Sequence, residues 1–386
     1  RRRIFTLPSP LRGISFFAAW HEVPATVRVQ VEPVTVGSFA ELGQAWRRLE
    51  AAAREPSFFQ SWTWVGCLAE ERYDQPVLLR AEANGVPVGL ALFNRRRGRL
   101  HLAESGQESL DSPFIEHNAP LLAAGTEGVV LPALMQAAWR QRGVRRLVLG
   151  GVRPAVLQAA GGLTFRERSQ VAPFIDLAAI RADGHDWLAT LSANTRYQLR
   201  RSARHFAQAG PLRVDRAASL EEALRWFDAL VALHGATWRQ RGLPGAFAHP
   251  FALRFHRGLI ERAQPRGELD LLRVSAGGEV LGYLYNFLLG GRIYAYQSGF
   301  DYAHAGRHGK PGLTCHAIAV EHALAEGAVI YDFLAGAARY KLSLSNASVS
   351  LLWAETVRPW SIPGLLVRAR GLARGLTGGL AGARLG

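Results

Sequence analysis

Alternation of hydrophobic and polar positions is clearest in two stretches of the chain that lie 193 residues apart. Leu78–Gly106 aligns with Leu271–Gly299 without a gap, and 10 of the 29 positions are identical. Each stretch predicts three short strands, and the first turn is Asn84-Gly85 in one copy and Gly277-Gly278 in the other. The repeat therefore predicts two copies of one antiparallel meander.

A helix and a returning strand are predicted after each meander. In the first copy they cover Leu131–Arg142 and Arg146–Leu149, and in the second copy Leu313–Glu326 and Val329–Leu334. The predicted fold class is α+β, with two tandem domains that each hold a mixed, largely antiparallel sheet flanked by helices. The predicted domains span 31–180 and 181–355, between an N-terminal tail at 1–30 and a basic, Gly-rich tail at 356–386.

The composition is that of a globular protein, with 48% hydrophobic residues in 386. A chain of this length suits two hydrophobic cores. The two cysteines are far apart in the sequence, which favours a reducing, cytoplasmic environment. No apolar run reaches about 18 residues, so no membrane span is expected. The basic and apolar start of the chain is interpreted as a tail and not as a signal peptide.

The net charge of +15 comes almost entirely from arginine, since only Lys310 and Lys341 among the 46 basic residues are lysines. Such a bias makes the charge weak support for nucleic-acid binding, and no DNA partner is expected. The two lysines are informative, because an ammonium group differs from a guanidinium in shape and hydration. Both are expected to border one cleft.

Three motifs in the second half resemble those of the GNAT superfamily of acyltransferases. In chain order they are Ser192-x-Asn194-x-Arg196-x-x-Leu199-Arg200-Arg201, then Tyr296–Gly312 with its terminal Pro-Gly, then Tyr331-Asp332-Phe333-Leu334-x-Gly336 followed by Tyr340-Lys341. The tandem copies resemble the branch that contains CelD-like proteins and Fem-type peptidyltransferases. The resemblance covers about residues 30–355 and is strongest over 190–345.

The resemblance implies acyl transfer to an amine or a hydroxyl. CelD-like proteins are associated with cellulose or exopolysaccharide production and acyl-CoA, whereas Fem-type relatives transfer an aminoacyl group from tRNA to a cell-wall precursor. The preferred prediction is an N- or O-acyltransferase with acyl-CoA as co-substrate and an envelope polysaccharide, or its precursor, as acceptor. An aminoacyl-tRNA-dependent transferase and a non-enzymatic scaffold with a degenerate acyltransferase fold remain alternatives.

The donor's phosphates are expected at the start of the helix Leu313–Glu326. Unpaired N–H groups and the helix dipole attract an anion there, and glycine lets it come close. The residues assigned to donor binding are Arg307, Gly309, Lys310, Gly312 and Leu313. The family's Q/R-x-x-G-x-G/A signature, read from Arg307, is met at Gly312, but Lys310 stands in place of its first glycine. The alternative is a plain turn from loop to helix.

The predicted catalytic residues are Lys341, Asp332 and Tyr296. Lys341 would stabilise the oxyanion or bind phosphate, and Asp332 would take the acceptor's proton. Tyr296 and Tyr294 share one face of a strand and would line the acyl channel, and Asp301 would contact the substrate. The alternatives are a surface lysine, a carboxylate paired with an arginine, and two core tyrosines. No metal is assigned, because the nearby histidines lack ligand spacing.

A helix is also predicted within the segment Leu188–Gln208, between the repeats, with Ser192 as its N-cap. It carries Arg196, Arg200 and Arg204 at a spacing of four, without an acidic residue from 194 to 213. With Asn194, Arg196 and Arg200 are assigned to substrate binding and are expected to face the cleft. A solvated basic face is the alternative.

The first domain lacks the lysines and instead carries Asp111, Glu116 and His117. It is expected to shape the acceptor cleft without forming a second active site. The tail at 356–386 combines arginines with leucines, which suits peripheral contact with an anionic membrane. Its many glycines favour a flexible tail instead. Cys315-His316 is not assigned to catalysis, because adjacent helix positions point about 100° apart.

Overall fold

The computed structural model describes residues 29–107 and 115–369. Its helices are α1 (Phe39–Ala52), α2 (Trp62–Arg72), α3 (Glu127–Arg140), α4 (Pro154–Ala160), α5 (Leu177–Ala182), α6 (Trp187–Thr190), α7 (Ala193–Phe206), α8 (Leu220–Gln240), α9 (Pro250–Ala263), α10 (Pro311–Ala325) and α11 (Arg339–Leu344). A further helical segment covers 362–369. The N-terminal tail up to residue 28, Asp111 and the end of the C-terminal tail lie outside the described residues.

The strands are β1 (Val29–Val34), β2 (Pro76–Ala83), β3 (Val86–Arg96), β4 (Arg99–Leu102), β5 (Leu121–Leu122), β6 (Arg146–Val152), β7 (Leu163–Asp176), β8 (Leu212–Arg216), β9 (Leu269–Ala276), β10 (Glu279–Leu289), β11 (Arg292–Phe300), β12 (Ile330–Asp332) and β13 (Ala347–Val357). The predicted α+β class, with a mixed sheet flanked by helices, is confirmed.

The internal repeat is a repeat of structure. Strands β2 and β3 begin and end 193 residues before β9 and β10, and both pairs are antiparallel. Even an irregularity is shared, because Val88 in β3 and Leu281 in β10 are each skipped in the pairing with the preceding strand. The hairpins, which continue into β4 and β11, are thus equivalent, as the sequence predicts.

The helix predicted between the repeats is α7. Ser192 caps it, because its side chain accepts a hydrogen bond from the Thr195 backbone N–H. The predicted helix Leu313–Glu326 is α10, which begins two residues earlier at Pro311. The strand predicted after it is shorter than expected, since β12 ends at Asp332.

The strands of both halves form one continuous sheet. Their order is β1-β2-β3-β4-β6-β13-β7-β12-β11-β10-β9-β8, with β5 beside β3. Strand β13, the last in the chain, lies between β6 and β7, whereas β7 pairs with β12 of the second half. Each half therefore receives a strand from the other. The boundary near residue 180 stays a prediction, because the sheet itself does not divide there.

An aromatic core joins the two halves on one face of the sheet. Helix α2 of the first half packs against α9 of the second half. Phe58 stacks on Phe287 with ring centroids 4.1 Å apart. Tyr294 and Tyr296 of β11 belong to the same buried cluster. Residues of the first half therefore lie directly against the strand that carries the predicted acyl-channel tyrosines.

Candidate active site

A cavity of about 610 Å³ lies where β11 and β12 separate. The strands pair in parallel only from Arg292 to Tyr294, because β12 ends while β11 continues to Phe300. The free part of β11 forms one wall, and α7, α8, the start of α10 and the chain around α11 form the others. The predicted site residues in its lining are Asn194, Gly309, Lys310, Gly312 and Leu313.

The start of α10 presents backbone N–H groups at this cavity. Pro311 occupies the first turn, and no side chain caps the helix. First-turn N–H groups have no partner within a helix, and the helix dipole favours an anion beside them. A Cβ at Gly312 would lie 2.7 Å from the Tyr302 hydroxyl and 3.1 Å from the Phe300 ring. Glycine therefore keeps the approach open, and this helix start is suited to a phosphate group.

Hydrogen bonds from α7 hold the segment before α10. The Lys310 backbone N–H donates to Ser202 Oγ at 2.9 Å, and Ser202 Oγ lies 2.7 Å from Thr314 Oγ1. The exposed Lys310 ammonium donates to Gln198 Oε1 at 2.6 Å. The lysine therefore adds a positive charge at a fixed place beside the helix start.

His316 lies one helical turn beyond Gly312 and also lines the cavity. Its side chain is only 3% exposed, and neither ring nitrogen has a hydrogen-bond partner among the described residues. Burial, with a smaller effect of Lys341, lowers the pKa of His316 to about 3. The imidazole is therefore neutral and carries one N–H donor and one acceptor nitrogen.

A second group of polar side chains lies between the two halves. Around Glu116 of the first half it brings together the three predicted catalytic residues, Lys341, Asp332 and Tyr296. The Glu116 carboxylate accepts a hydrogen bond from the Ala335 backbone N–H. Ionisable side chains of both halves are thus grouped around Glu116.

Burial sets the ionisation of Glu116 and Lys341. It raises the pKa of Glu116 to about 7, although the Ala335 N–H and Lys341 oppose the shift. It also lowers the pKa of Lys341, against the attraction of Glu116 and Asp332. Lys341 Nζ donates to the backbone oxygens of Leu334 at 3.3 Å and Ala335 at 2.8 Å. An ammonium has three donors, so one remains for another acceptor.

Asp332 does not suit the role of a base that the sequence suggests. Its side chain is fully buried and accepts a hydrogen bond from the Leu334 N–H at 2.8 Å. His117 Nε2 lies 3.1 Å from Asp332 Oδ2 outside hydrogen-bond geometry, and Arg292 lies 3.5 Å away. Burial raises the pKa of Asp332, but these partners together hold it below its ordinary value. Asp332 is therefore a stable anion that positions its neighbours.

Lys310 and Lys341 do not border the same cavity, contrary to the expectation. Tyr340 and Ser343 face the cavity from α11, whereas the Lys341 ammonium contacts the carbonyl groups of Leu334 and Ala335. Neighbouring residues on a helix point about 100° apart, so Tyr340 and Lys341 face different sides. Lys341 belongs to the centre around Glu116.

The arginine stripe of α7 does not face the cavity. Arg196 instead donates to the backbone oxygens of Ala189 and Leu191 and secures the preceding turn. Arg200 is exposed, and its backbone oxygen accepts a hydrogen bond from Arg204 Nε. The cavity-facing residues of α7 are Asn194, Thr195 and Gln198, so the predicted orientation of Arg196 and Arg200 was wrong.

The remaining predicted residues lie elsewhere. Arg307 is exposed on the loop before α10 and is not part of the cavity lining. Asp301 accepts hydrogen bonds from the backbone N–H groups of Ala303 and His304, so its carboxylate shapes the loop. Tyr294 is 1% exposed and packs against Phe59 in the shared core.

Comparison with known proteins agrees with this geometry. Residues 193–342 match the family model described as an acetyltransferase (GNAT) domain. The fold is shared with FemX, at 10% identity and a TM-score of 0.55 over 84% of this chain and 97% of that chain. It is also shared with the C-terminal domain (DUF2156) of a proposed lysylphosphatidylglycerol synthetase from Agrobacterium fabrum, at 13% identity and a TM-score of 0.52 over 86% and 95%. No curated protein sequence matches the chain.

The match to an acetyltransferase (GNAT) domain lies in the second half of the chain and supports a transferase. The match begins with α7 and ends within α11, so it includes every lining residue of the cavity except Ser343. Among residues 29–107 and 115–369, no helix is long and apolar enough to cross a membrane. The same residues contain no cluster of three or more metal-binding side chains.

Sequence reasoning missed two candidate functional residues, Glu116 and His316. Glu116 lies in the half that lacks the lysines, and its contact with Ala335 joins residues 219 positions apart. In the sequence, His316 draws notice only as the neighbour of Cys315, although it lies four residues after Gly312. That spacing places Gly312 and His316 on one helix face and could have identified His316 as a residue of the site.

Proposed function

We propose that the protein transfers an acyl group from acyl-CoA to an amine or hydroxyl of a cell-envelope polysaccharide or its precursor. The observation that carries this proposal is the cavity at the start of α10. There, an uncapped helix start, the close approach at Gly312 and the Lys310 ammonium together favour a phosphate-bearing donor.

The reaction begins with the donor's diphosphate at the N–H groups of α10 and beside Lys310. The donor's arm follows the free part of β11, between Phe300 and Tyr340, toward the interior. Tyr340 immediately precedes Lys341, and Lys341 is near enough to His316 to affect its pKa. An acyl group at the inner end of the cavity therefore lies close to the charged centre.

Glu116 and Lys341 supply the acid–base and electrostatic steps in this proposal. The acceptor's nitrogen or oxygen attacks the acyl carbonyl, and its proton passes to the Glu116 carboxylate, whose pKa of about 7 suits a base. Lys341 stabilises the negative charge on the carbonyl oxygen. The carbon–sulfur bond then breaks, and CoA leaves as the thiolate.

The first half contributes Glu116 and His117 to this centre, so the proposal assigns the acceptor to the side of the first half. The envelope assignment follows the resemblance to CelD-like proteins. The name of the lysylphosphatidylglycerol synthetase domain that shares this fold also describes the synthesis of an envelope component.

An aminoacyl-tRNA donor is the second candidate. It is favoured by the exposed arginines on α7 beside the cavity, where Arg201 contacts His308 on the loop before α10. A long polyanion would use these residues, whereas a CoA diphosphate would bind at Lys310. Arg204 and Lys310 therefore distinguish the two donors.

Calorimetric titration of the full chain tests the donor. Acetyl-CoA, a longer acyl-CoA and charged tRNA are titrated into the wild type, Lys310→Ala and Arg204→Ala. We expect acyl-CoA to bind the wild type and Arg204→Ala equally and Lys310→Ala about tenfold more weakly. Binding of charged tRNA alone, weakened in both variants, would favour the second candidate. If the wild type binds none of the three ligands, the proposal is contradicted, and a non-enzymatic scaffold is the remaining alternative.

A further inference from the structure

The side chain of His316 is polar at a place where an apolar one would pack well. Its ring stacks on Tyr340 with centroids 4.8 Å apart and an interplanar angle of 18°. The Phe300 and Phe333 rings meet it edge-on at 5.6 Å and 5.7 Å. These three aromatic rings fix the orientation of the imidazole.

Both ring nitrogens of His316 are buried, and neither has a hydrogen-bond partner among the described residues. Leaving a buried donor unpaired is costly, so such groups usually have a partner. Tyr340 and Phe333 offer their rings to the imidazole and no polar atom. The cavity that His316 lines is the side from which a partner can come.

The position of His316 on α10 limits what that partner is. Gly312 and His316 are four residues apart on one helix face, which corresponds to a rise of about 6 Å. A ligand with its phosphate at Gly312 therefore places an atom only a few bonds from that phosphate next to the imidazole. The ring is neutral, so an uncharged acceptor suits its N–H.

We infer that His316 donates its ring N–H to a carbonyl oxygen of the bound acyl donor and thereby strengthens the binding of donors that carry a carbonyl group near the phosphate. This inference rests on the proposed function. In a CoA-type donor, the carbonyl nearest the diphosphate is the first amide of the pantetheine arm, and the spacing from Gly312 favours it over the thioester carbonyl.

His316→Phe tests the inference, because phenylalanine keeps the stacking on Tyr340 and removes the ring nitrogens. Binding of CoA, acetyl-CoA and inorganic pyrophosphate is measured by calorimetry for the full chain. We expect about tenfold weaker binding of CoA and acetyl-CoA and unchanged binding of pyrophosphate. His316→Asn, which restores an N–H donor, should recover part of the affinity.

His322→Phe is the matched control, because His322 lies on the same helix but does not line the cavity. It should bind all three ligands as the wild type does. Denaturant unfolding should show His316→Phe to be at least as stable as the wild type, which separates lost recognition from misfolding.

The other outcomes are distinguishable. Weaker binding of acetyl-CoA alone would still support the hydrogen bond and would assign it to the thioester carbonyl. Equal binding of CoA and acetyl-CoA by the wild type and His316→Phe would overturn the inference and leave the proposed function intact. A wild type that binds pyrophosphate but neither CoA nor acetyl-CoA would overturn both.

Discussion

Replacing Glu116 by glutamine should make the protein more stable and less active. The glutamine keeps an oxygen for the Ala335 N–H but cannot ionise. Burial raises the pKa of Glu116 from 4.5 to about 7, so the folded protein resists its ionisation. Since one pKa unit corresponds to about 1.4 kcal/mol, the ionised form destabilises the fold by about 3 kcal/mol.

The sign of this effect depends on pH. Between pH 4.5 and 7 the folded state holds a proton on Glu116 that the unfolded state has released, so wild-type stability falls as pH rises. Above pH 7 the full difference is present, and below pH 4.5 it vanishes because both states are protonated. Glu116→Gln lacks this contribution, so its advantage should grow by about 2.5 kcal/mol from pH 5 to pH 8.

Urea unfolding at pH 5, 6, 7 and 8 measures the difference directly. Glu279→Gln is a matched control, because Glu279 is exposed on β10, and it should change stability by less than about 0.5 kcal/mol. Equal stability of Glu116→Gln and the wild type at pH 5 and pH 8 would refute the reasoning. In a transfer assay, kcat/KM of the wild type should rise through about pH 7 as Glu116 ionises.

Three further substitutions each test a different part of the account. Gly312→Ala should weaken acetyl-CoA binding in calorimetry at least tenfold, because its Cβ meets Tyr302 and Phe300. Gly128→Ala, which has open space around its Cβ, should bind acetyl-CoA as the wild type does. Arg196→Ala should lower the free energy of unfolding by about 1–2 kcal/mol through the lost backbone contacts and leave donor affinity unchanged. Lys341→Ala should lower kcat by about 10² to 10³ without weakening donor binding, and full turnover would exclude the oxyanion role.

Local patterns along the chain predict much of the fold. The gapless repeat identifies β2 to β4 and β9 to β11, because turn glycines and alternation are local signals. The exchange of β7 and β13 between the halves is not predictable in this way. It depends on pairings such as Ala347 with Phe174, which join residues 173 positions apart.

In the candidate site, too, local features are predictable from the sequence and long-range ones are not. The place of Gly312 and Lys310 at a helix start is predictable from the sequence, because a helix start is a local structure. The roles of Asp332 and Arg196 depend on burial and on contacts made after folding, and there the sequence misleads. Glu116 acquires its raised pKa only when folding buries its side chain between the two halves.

The central claim is that the second half holds the donor and that both halves supply the chemistry. It is tested most directly by transfer of label from radiolabelled acetyl-CoA to a polysaccharide fraction of the cell envelope, with the wild type, Lys341→Ala and Glu116→Gln in parallel. We expect transfer by the wild type and a loss of at least about a hundredfold in each variant. Transfer at the wild-type rate by Glu116→Gln would contradict the account, as would no transfer by the wild type.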